Sequence, residues 1–285
     1  MCAPCCACLF GGPMKHRIAI VGCSDPLFGE RGESTRKVIG LLRREGHEVF
    51  PSDYLYQPFT KDLPRLKARA LNSFFRDPEM GFIFDVSGGD LANTVLPYLD
   101  YEAIRKSSAT FHGYSDLSTV LNAIVAKTGR QAVNYQIRNL VYDHAEEQLA
   151  YFKAHILEHR VSLSDLDVHY LRGSSMEGRV LGGNTRCFQK LAGTEYWPCL
   201  DDSIILLESY GGVQYRMMTA LEQYIQMGVF QKVSGVLLGT FTKMDRDGRR
   251  PTMREMGLEN IPEDIPVAET RFIGHNTDAR AIVLG

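Results

Sequence analysis

The sequence predicts an α/β protein, and two patterns support this fold class. In the first half, short continuous apolar runs alternate with segments whose apolar residues recur every three or four positions. This alternation is typical of parallel strands joined by right-handed helical crossovers. Beyond about residue 160 the strands become shorter and glycine turns more frequent, which indicates a second domain of mixed composition.

The first half supplies three strand and helix pairs before the stretch around residue 115. A covered apolar strand at 17–22 is followed by turn residues and a helix that opens at Ser34 and ends at Gly46. The loop between them has neither G-x-G-x-x-G nor a P-loop lysine, so we expect no nucleotide site there. The other predicted elements are strands at 47–52 and 81–86 and helices at 63–75 and 93–106.

The stretch 109–129 runs from a strand through a sharp turn into a helix. At such a junction a serine can be held with its hydroxyl exposed, and the first N–H groups of the helix face any negative charge that develops there. Ser115 therefore has the setting of a nucleophile. The alternative is a helix cap at Ser115 or Asp116, and the second glycine of G-x-S-x-G is absent.

The second half presents polar residues at the ends of several apolar strands. The strand at 178–184 ends in a double glycine and Asn184, a candidate for contacting a substrate. The strand at 203–208 ends at Glu208, and an extended segment at 266–273 leads to Gly274 and His275. Between them we predict a helix at 213–227, a strand at 233–239 and a charged loop at 242–251.

Glu208 and His275 fit the two roles that a nucleophilic serine needs beside it. A base removes the hydroxyl proton, and a carboxylate orients that base and stabilises its charged form. Gly88 and Gly89 follow the strand at 81–86 and, lacking a Cβ, could direct N–H groups at an oxyanion. A plain turn is the alternative at these glycines, and His112 remains a rival base.

Composition excludes several function classes. The 32 basic and 34 acidic residues nearly cancel, so neither nucleic acid nor a membrane surface is an expected partner. No apolar run is long enough to span a membrane, and no secretion signal is recognisable, so we expect a cytoplasmic protein. Four cysteines in the first eight residues lack a second ligand pair, so we expect no metal site, and no cofactor is expected.

The predicted domain organisation has three parts. Residues 1–13 form a cysteine-rich tail outside the fold, residues 14–160 an N-terminal α/β domain that carries Ser115, and residues 161–285 a C-terminal domain that carries Glu208 and His275.

Eight short motifs after residue 14 resemble those of the LD-carboxypeptidase family of serine peptidases. This family includes muramoyltetrapeptide carboxypeptidases and microcin C immunity peptidases. The motifs occur in the family order: RIAIVGCSDP from residue 17, SGGD at 87–90, FHGYSDLS at 111–118, GRVLGGN at 178–184, LAGTEYWP at 191–198, ILLES at 205–209, GVLLGTF at 235–241 and IGHNTD at 273–278.

The resemblance implies a fold, a site and an oligomeric state. It implies a flavodoxin- or amidotransferase-like N-terminal domain, a mixed C-terminal domain with a small β-sheet or barrel, an active site between them, and a homodimer. Ser115 would be the nucleophile, His275 the general base and acid, and Glu208 its orienting carboxylate. The N–H groups of Asp116 and of Gly88 or Gly89 would form the oxyanion hole.

The expected function is metal-independent hydrolysis that releases C-terminal D-alanine from a murein tetrapeptide, with a small muropeptide as the only partner besides a second subunit. Arg216 and Arg271 are candidates for binding the terminal carboxylate, because arginine binds carboxylates through two parallel hydrogen bonds. Two alternatives stay open: hydrolysis of a microcin-like peptidyl-nucleotide or another acyl amide, and a catalytically silent muropeptide-binding protein.

Overall fold

The computed structural model describes residues 15–285, so the predicted tail at 1–13 lies outside the described residues. No helix in this range has both the length and the apolar character to cross a bilayer. The strands are β1 (Arg17–Val21), β2 (Glu48–Pro51), β3 (Phe82–Asp85), β4 (Thr110–Gly113), β5 (Ala132–Asn134), β6 (His169–Arg172), β7 (Val180–Asn184), β8 (Ile204–Ser209), β9 (Gly235–Phe241), β10 (Val267–Glu269) and β11 (Ile282–Leu284). The helices are α1 (Gly29–Arg44), α2 (Leu63–Arg76), α3 (Tyr101–Lys106), α4 (Ser118–Thr128), α5 (Ala145–Tyr151), α6 (Thr185–Gln189), α7 (Gln214–Gln226), α8 (Thr242–Arg246) and α9 (Met253–Asn260).

The first sheet has the order β11-β5-β4-β3-β1-β2. Strands β1 to β5 are parallel, and β11 pairs antiparallel with β5. Both faces of the sheet are covered: Ile18 and Ile20 pack into one apolar cluster, whereas Ala19 and Val21 pack into another. The alternating α/β pattern predicted for the first half is confirmed, because strands covered on both faces read as continuous apolar runs.

The second sheet has the order β6-β10-β9-β8-β7 and is open, so it is a mixed sheet and not a barrel. Strands β7 to β10 are parallel, and β6 is antiparallel to β10. One apolar cluster runs from Ala19 and Val21 of the first sheet to Ile205 and Leu207 of the second. The two sheets therefore share a hydrophobic core.

Helix α4 joins the two sheets at the double glycine of β7. The side-chain amide of Asn122 donates to the carbonyl of Gly182 (2.7 Å) and accepts from its N–H (2.9 Å). Gly183 has a φ of +125°, and a Cβ there would lie 2.5 Å from Ser118 Oγ. Only glycine lets this strand approach the helix so closely.

Several segments differ from the sequence prediction. Helix α1 begins at Gly29, before the predicted start at Ser34, and the extended segment expected at 266–273 is a strand only over Val267–Glu269. The helix expected at 93–106 is split into a 3₁₀ segment, Ala92–Tyr98, and α3, because Pro97 cannot donate the backbone hydrogen bond that would continue the helix. The loop expected at 242–251 contains α8. The last strand, β11, returns to the first sheet beside β5. The domain boundary near residue 160 stays a prediction, since the C-terminal segment contributes to both sheets.

Candidate active site

A cavity of about 820 Å³ lies where the carboxyl ends of several parallel strands meet. Its walls include residues that directly follow β3, β4 and β5 of the first sheet, and residues at the ends of β7 and β8 of the second. Ligands of parallel α/β proteins gather at this edge of the sheet. Ser115 and His275, predicted from the sequence to act together, both line this cavity.

Ser115 lies on a strained turn between β4 and α4. It has a φ of +58°, the left-handed region that a non-glycine residue rarely occupies. The 3₁₀ segment Ser115–Leu117 begins here, and the hydroxyl of Ser118 donates to the Ser115 carbonyl (2.7 Å). The turn therefore fixes the backbone of Ser115 while its side chain faces the cavity, which is the geometry expected of a nucleophile elbow.

The paired glycines after β3 lie beside Ser115. A Cβ at Gly88 would lie 4.0 Å from the Cβ of Ser115. Gly89 has a φ of +130°, and a Cβ there would overlap the carboxylate of Asp25, which accepts the N–H of Asp90 (3.0 Å). Within residues 15–285 the N–H groups of Gly88, Gly89 and Asp116 have no hydrogen-bond partner. These three donors are available for an oxyanion.

The carboxylate of Asp116 is a fully buried anchor that the sequence analysis missed. One oxygen accepts from Ser24 Oγ (2.6 Å) and from the N–H of Ala92 (2.8 Å), and the other lies 2.6 Å from Lys190 Nζ. Lys190 follows α6 and also donates to the carbonyl of Asp90 (2.9 Å). Lys190 belongs to the second half of the chain, which also carries Glu208 and His275. It thus connects that half to the loop after β3 and to the turn that carries Ser115.

Glu208 and His275 form a close pair at this cavity, where the ring of His275 lies 5.5 Å from that of Tyr114, the residue before Ser115. The Nδ1 atom of His275 lies 2.8 Å from Oε2 of Glu208, with the side chains 9% and 2% exposed. The N–H direction is not aligned with that oxygen, and Nε2 of His275 has no hydrogen-bond partner among the residues that the structure describes. The carboxylate thus lies next to one ring nitrogen, and the other ring nitrogen is buried without a partner in the described part of the chain.

The other predicted site residues divide into those in the cavity and those outside it. Asn184 lines the cavity and also caps α6, because its Oδ1 accepts from the N–H of Cys187 (3.3 Å). Arg216 is exposed at the cavity wall. Arg271 lies outside the cavity and pairs with Asp278 (3.1 Å). The structure thus places Arg271 away from the residues that line the cavity with Ser115 and His275.

His112 is also excluded as a base for Ser115. It is 2% exposed, its ring lies 4.4 Å from that of Phe84, and it lines a different cavity. Burial lowers the pKa of His112 to about 3, so it stays neutral at physiological pH.

Sequence reasoning also missed Arg138. It lies in the 3₁₀ segment Ile137–Val141 after β5, lines the cavity and is 6% exposed. The missing signal was β5 itself, a three-residue strand with no clear pattern. Ligands gather at the carboxyl ends of parallel strands, so recognition of β5 would have made the residues after it, including Arg138, candidates for the site.

Comparison with known proteins places the chain in a family. Residues 18–135 match the family model described as the LD-carboxypeptidase N-terminal domain, and residues 177–285 match the C-terminal domain of the same family.

Two curated relatives align over most of their length. The murein tetrapeptide carboxypeptidase of Pseudomonas aeruginosa is 25% identical, over 94% of this chain and 91% of that protein. The microcin C7 self-immunity protein MccF of Escherichia coli is also 25% identical, over 77% of this chain and 73% of that protein.

The fold agrees with these matches. The structure of MccF in its wild-type apo state superposes with a TM-score of 0.79 at 21% identity, covering 99% of this chain and 94% of that chain. The two domain models together span most of the sequence, in the order of the family. The chain belongs to the LD-carboxypeptidase family.

Proposed function

We propose that this protein is a serine carboxypeptidase that releases the C-terminal D-alanine of murein tetrapeptides during cell-wall recycling. The observation that carries the proposal is the arrangement around the cavity. A serine on a strained turn lines the same cavity as a histidine whose Nδ1 lies 2.8 Å from a buried glutamate. This combination supports acyl transfer by a nucleophile, a base and an orienting carboxylate.

In the proposed mechanism Ser115 Oγ attacks the scissile carbonyl carbon, and its proton passes to Nε2 of His275. Oγ and Nε2 must approach to about 3 Å for this transfer. No hydrogen bond joins these side chains within residues 15–285, so the contact forms in the substrate complex. Glu208 stabilises the imidazolium through Nδ1. The N–H of Asp116 and that of Gly88 or Gly89 then hold the oxyanion.

Collapse of the tetrahedral intermediate breaks the C–N bond. His275 gives its proton to the departing amine of D-alanine, and the acyl group stays as an ester on Ser115. Water then attacks this ester while His275 accepts one proton from it. The tetrahedral species that results expels Ser115 Oγ, which takes the proton back, and the shortened peptide leaves with a new carboxylate.

The choice of a murein peptide rests on the relatives. One of them is named a murein tetrapeptide carboxypeptidase, and its match extends over 91% of that protein. The cavity of about 820 Å³ is in the size range of sites that enclose small molecules and short peptides.

The test is mass spectrometry of a defined murein tetrapeptide before and after incubation with the purified protein. We expect loss of one D-alanine, and a rate reduced by several orders of magnitude in Ser115→Ala with an unchanged circular dichroism spectrum. Ser108→Ala is the matched control, because Ser108 is exposed ahead of the other end of β4. Release of D-alanine by Ser115→Ala at the parent rate would exclude this assignment.

A second candidate substrate is a peptidyl-nucleotide of the microcin type. Tyr210 lines the cavity, is 56% exposed, and its ring lies 5.2 Å from that of His275. An exposed aromatic ring next to the base supports stacking of a nucleobase. Incubation with aspartyl sulfamoyl adenosine and with the tetrapeptide separates the two: cleavage of the nucleoside compound alone would favour this candidate.

A catalytically silent binding protein is the remaining alternative. A fluorophosphonate probe reacts with an activated serine and not with an ordinary one. Labelling of the parent protein, together with its absence in Ser115→Ala, would exclude the silent alternative. An unlabelled parent protein that still binds the tetrapeptide would favour it.

A further inference from the structure

Arg138 is a buried cation without a counter-charge. It is 6% exposed and makes no ion pair with any carboxylate in the described part of the chain. Its Nε atom is buried and has no hydrogen-bond partner there. An unpaired buried charge is costly, because it has left water without gaining an opposite charge. A protein that keeps one at the wall of a cavity is suited to receive an anion.

Two tyrosines hold the guanidinium in place without neutralising it. Nη2 donates to the hydroxyl of Tyr114, and Nη1 donates to that of Tyr142 (3.3 Å). Burial raises the pKa of Tyr114, so its phenol stays protonated and supplies no negative charge. The orientation of Arg138 is thus fixed before a ligand arrives, which lowers the entropy lost on binding.

The position of Arg138 matches the place where the terminal carboxylate of an exopeptidase substrate would lie. The hydroxyl of Tyr114 lies 3.8 Å from the point that a Cβ of Gly88 would occupy, and the Cβ of Ser115 lies 4.0 Å from the same point. Arg138 is therefore one hydrogen bond away from the group of atoms where the scissile carbonyl would bind. In an exopeptidase substrate the terminal carboxylate is one residue beyond that carbonyl, at roughly 4 Å.

The other cations of the cavity are less suited to this role. Arg31, Arg186 and Arg216 are exposed, so water screens their charge. Lys190 is already paired with Asp116. Among the cavity-lining cations in residues 15–285, Arg138 alone is both more than nine-tenths buried and unpaired.

We propose that Arg138 binds the C-terminal carboxylate of the peptide, and that this contact restricts the site to substrates with a free carboxyl terminus. The inference rests on the proposed function, since it names the part of the substrate that the same site selects. A planar guanidinium with fixed donors is the side chain best suited to a carboxylate.

The test compares one tetrapeptide in two forms, with a free C-terminal carboxylate and with a C-terminal carboxamide. We expect the parent protein to prefer the acid by about 100-fold or more in kcat/KM, since the amide leaves Arg138 unpaired. In Arg138→Met the value for the acid should fall about 100-fold, and that for the amide should change by no more than about threefold. Arg69→Met, an exposed arginine outside the cavity, is the control.

Arg138→Lys is the second variant, used if Arg138→Met does not fold. It keeps the charge but loses the paired donors, so its preference should lie between those of the parent and of a neutral side chain. A parent that cleaves both peptides equally, or an Arg138 variant that keeps the full preference, would overturn the inference and leave the proposed function intact.

A binding measurement distinguishes failure of the inference from failure of the proposed function. Calorimetry with Ser115→Ala reports the affinity for both peptides without turnover. We expect tighter binding of the acid, and loss of that difference in Ser115→Ala combined with Arg138→Met. If the parent cleaves neither peptide, the proposed function fails; if Ser115→Ala also binds acid and amide equally, the role of Arg138 fails with it.

Discussion

The side-chain contacts next to Ser115 and those next to His275, which we call the Ser115 side and the His275 side of the cavity, differ in how completely they are formed. On the Ser115 side, the carboxylate of Asp116 binds Ser24, Ala92 and Lys190 at 2.6–2.8 Å. On the His275 side, one contact of 2.8 Å joins His275 to Glu208, and Nε2 has no partner within residues 15–285.

This difference predicts that the two sides contribute differently to the stability of the fold and to catalysis. A buried network with every member satisfied fixes one conformation and contributes to folding. A buried ring nitrogen without a partner costs stability, and it has no hydrogen bond to break before it takes part in proton transfer. We therefore expect substitutions on the Ser115 side, other than at Ser115 itself, to act mainly on the free energy of unfolding. Substitutions on the His275 side should act mainly on turnover.

The largest expected effect is that of Glu208→Gln on turnover. The amide cannot stabilise the imidazolium, so kcat should fall about 1,000- to 10,000-fold with little change in KM. The free energy of unfolding should change by less than about 1 kcal/mol, because a neutral amide is less costly to bury than a carboxylate. Steady-state kinetics and urea unfolding check the two parts, with the exposed Glu222→Gln as control. A kcat within tenfold of the parent would show that Glu208 does not orient the base.

Much of the fold could be predicted from the sequence, and so could the three residues proposed to act in catalysis, but not the buried contacts around them. Ser115 follows β4, Glu208 lies near the end of β8, and His275 lies in the loop after β10. Each comes at the end of an apolar run, which is a local pattern that a sequence displays. Lys190 and Arg138 show no such pattern. Their roles depend on contacts with Asp116 and Tyr114, which are 74 and 24 residues away. Long-range contacts of this kind arise only when the strands take their order in the sheets.

The next effect is that of Lys190→Met on stability. It leaves Asp116 buried with two hydrogen-bond donors but without its opposite charge, and we expect a loss of about 3 kcal/mol in the free energy of unfolding. Urea denaturation measures this loss. Adding Asp116→Asn should recover at least about 1 kcal/mol, because the uncompensated charge is then removed.

Lys127→Met is the matched control for Lys190→Met. Lys127 pairs with Glu195 at 2.6 Å, but the two side chains are 30% and 67% exposed. A surface pair of this kind contributes less than about 1 kcal/mol. Equal losses in the two variants would mean that Lys190 is an ordinary surface pair and that the Ser115 side is not held by its network.

The smallest expected effect is that of His112 on the free energy of unfolding at acidic pH. His112 belongs to neither side of the cavity. His112 packs against Phe84 with its Nδ1 3.1 Å from the carbonyl of Thr110, and burial lowers its pKa to about 3. In the unfolded chain its pKa is about 6.5. Between these values the unfolded state binds more protons, so stability rises with pH and is lost as the pH falls below about 6.5. The contribution of His112 between pH 7 and 4.5 is on the order of 2 kcal/mol.

The measurement is urea unfolding at pH 7 and at pH 4.5 for the parent, for His112→Gln and for the exposed control His169→Gln. The quantity compared is the difference in the free energy of unfolding between pH 7 and pH 4.5. A packing effect of the substitution that is the same at both pH values therefore cancels. The difference should shrink in His112→Gln and persist in His169→Gln. Burial also lowers the pKa values of His16 and His47, so part of the acid sensitivity remains after the substitution. If His112→Gln keeps the full difference, the acid sensitivity lies elsewhere.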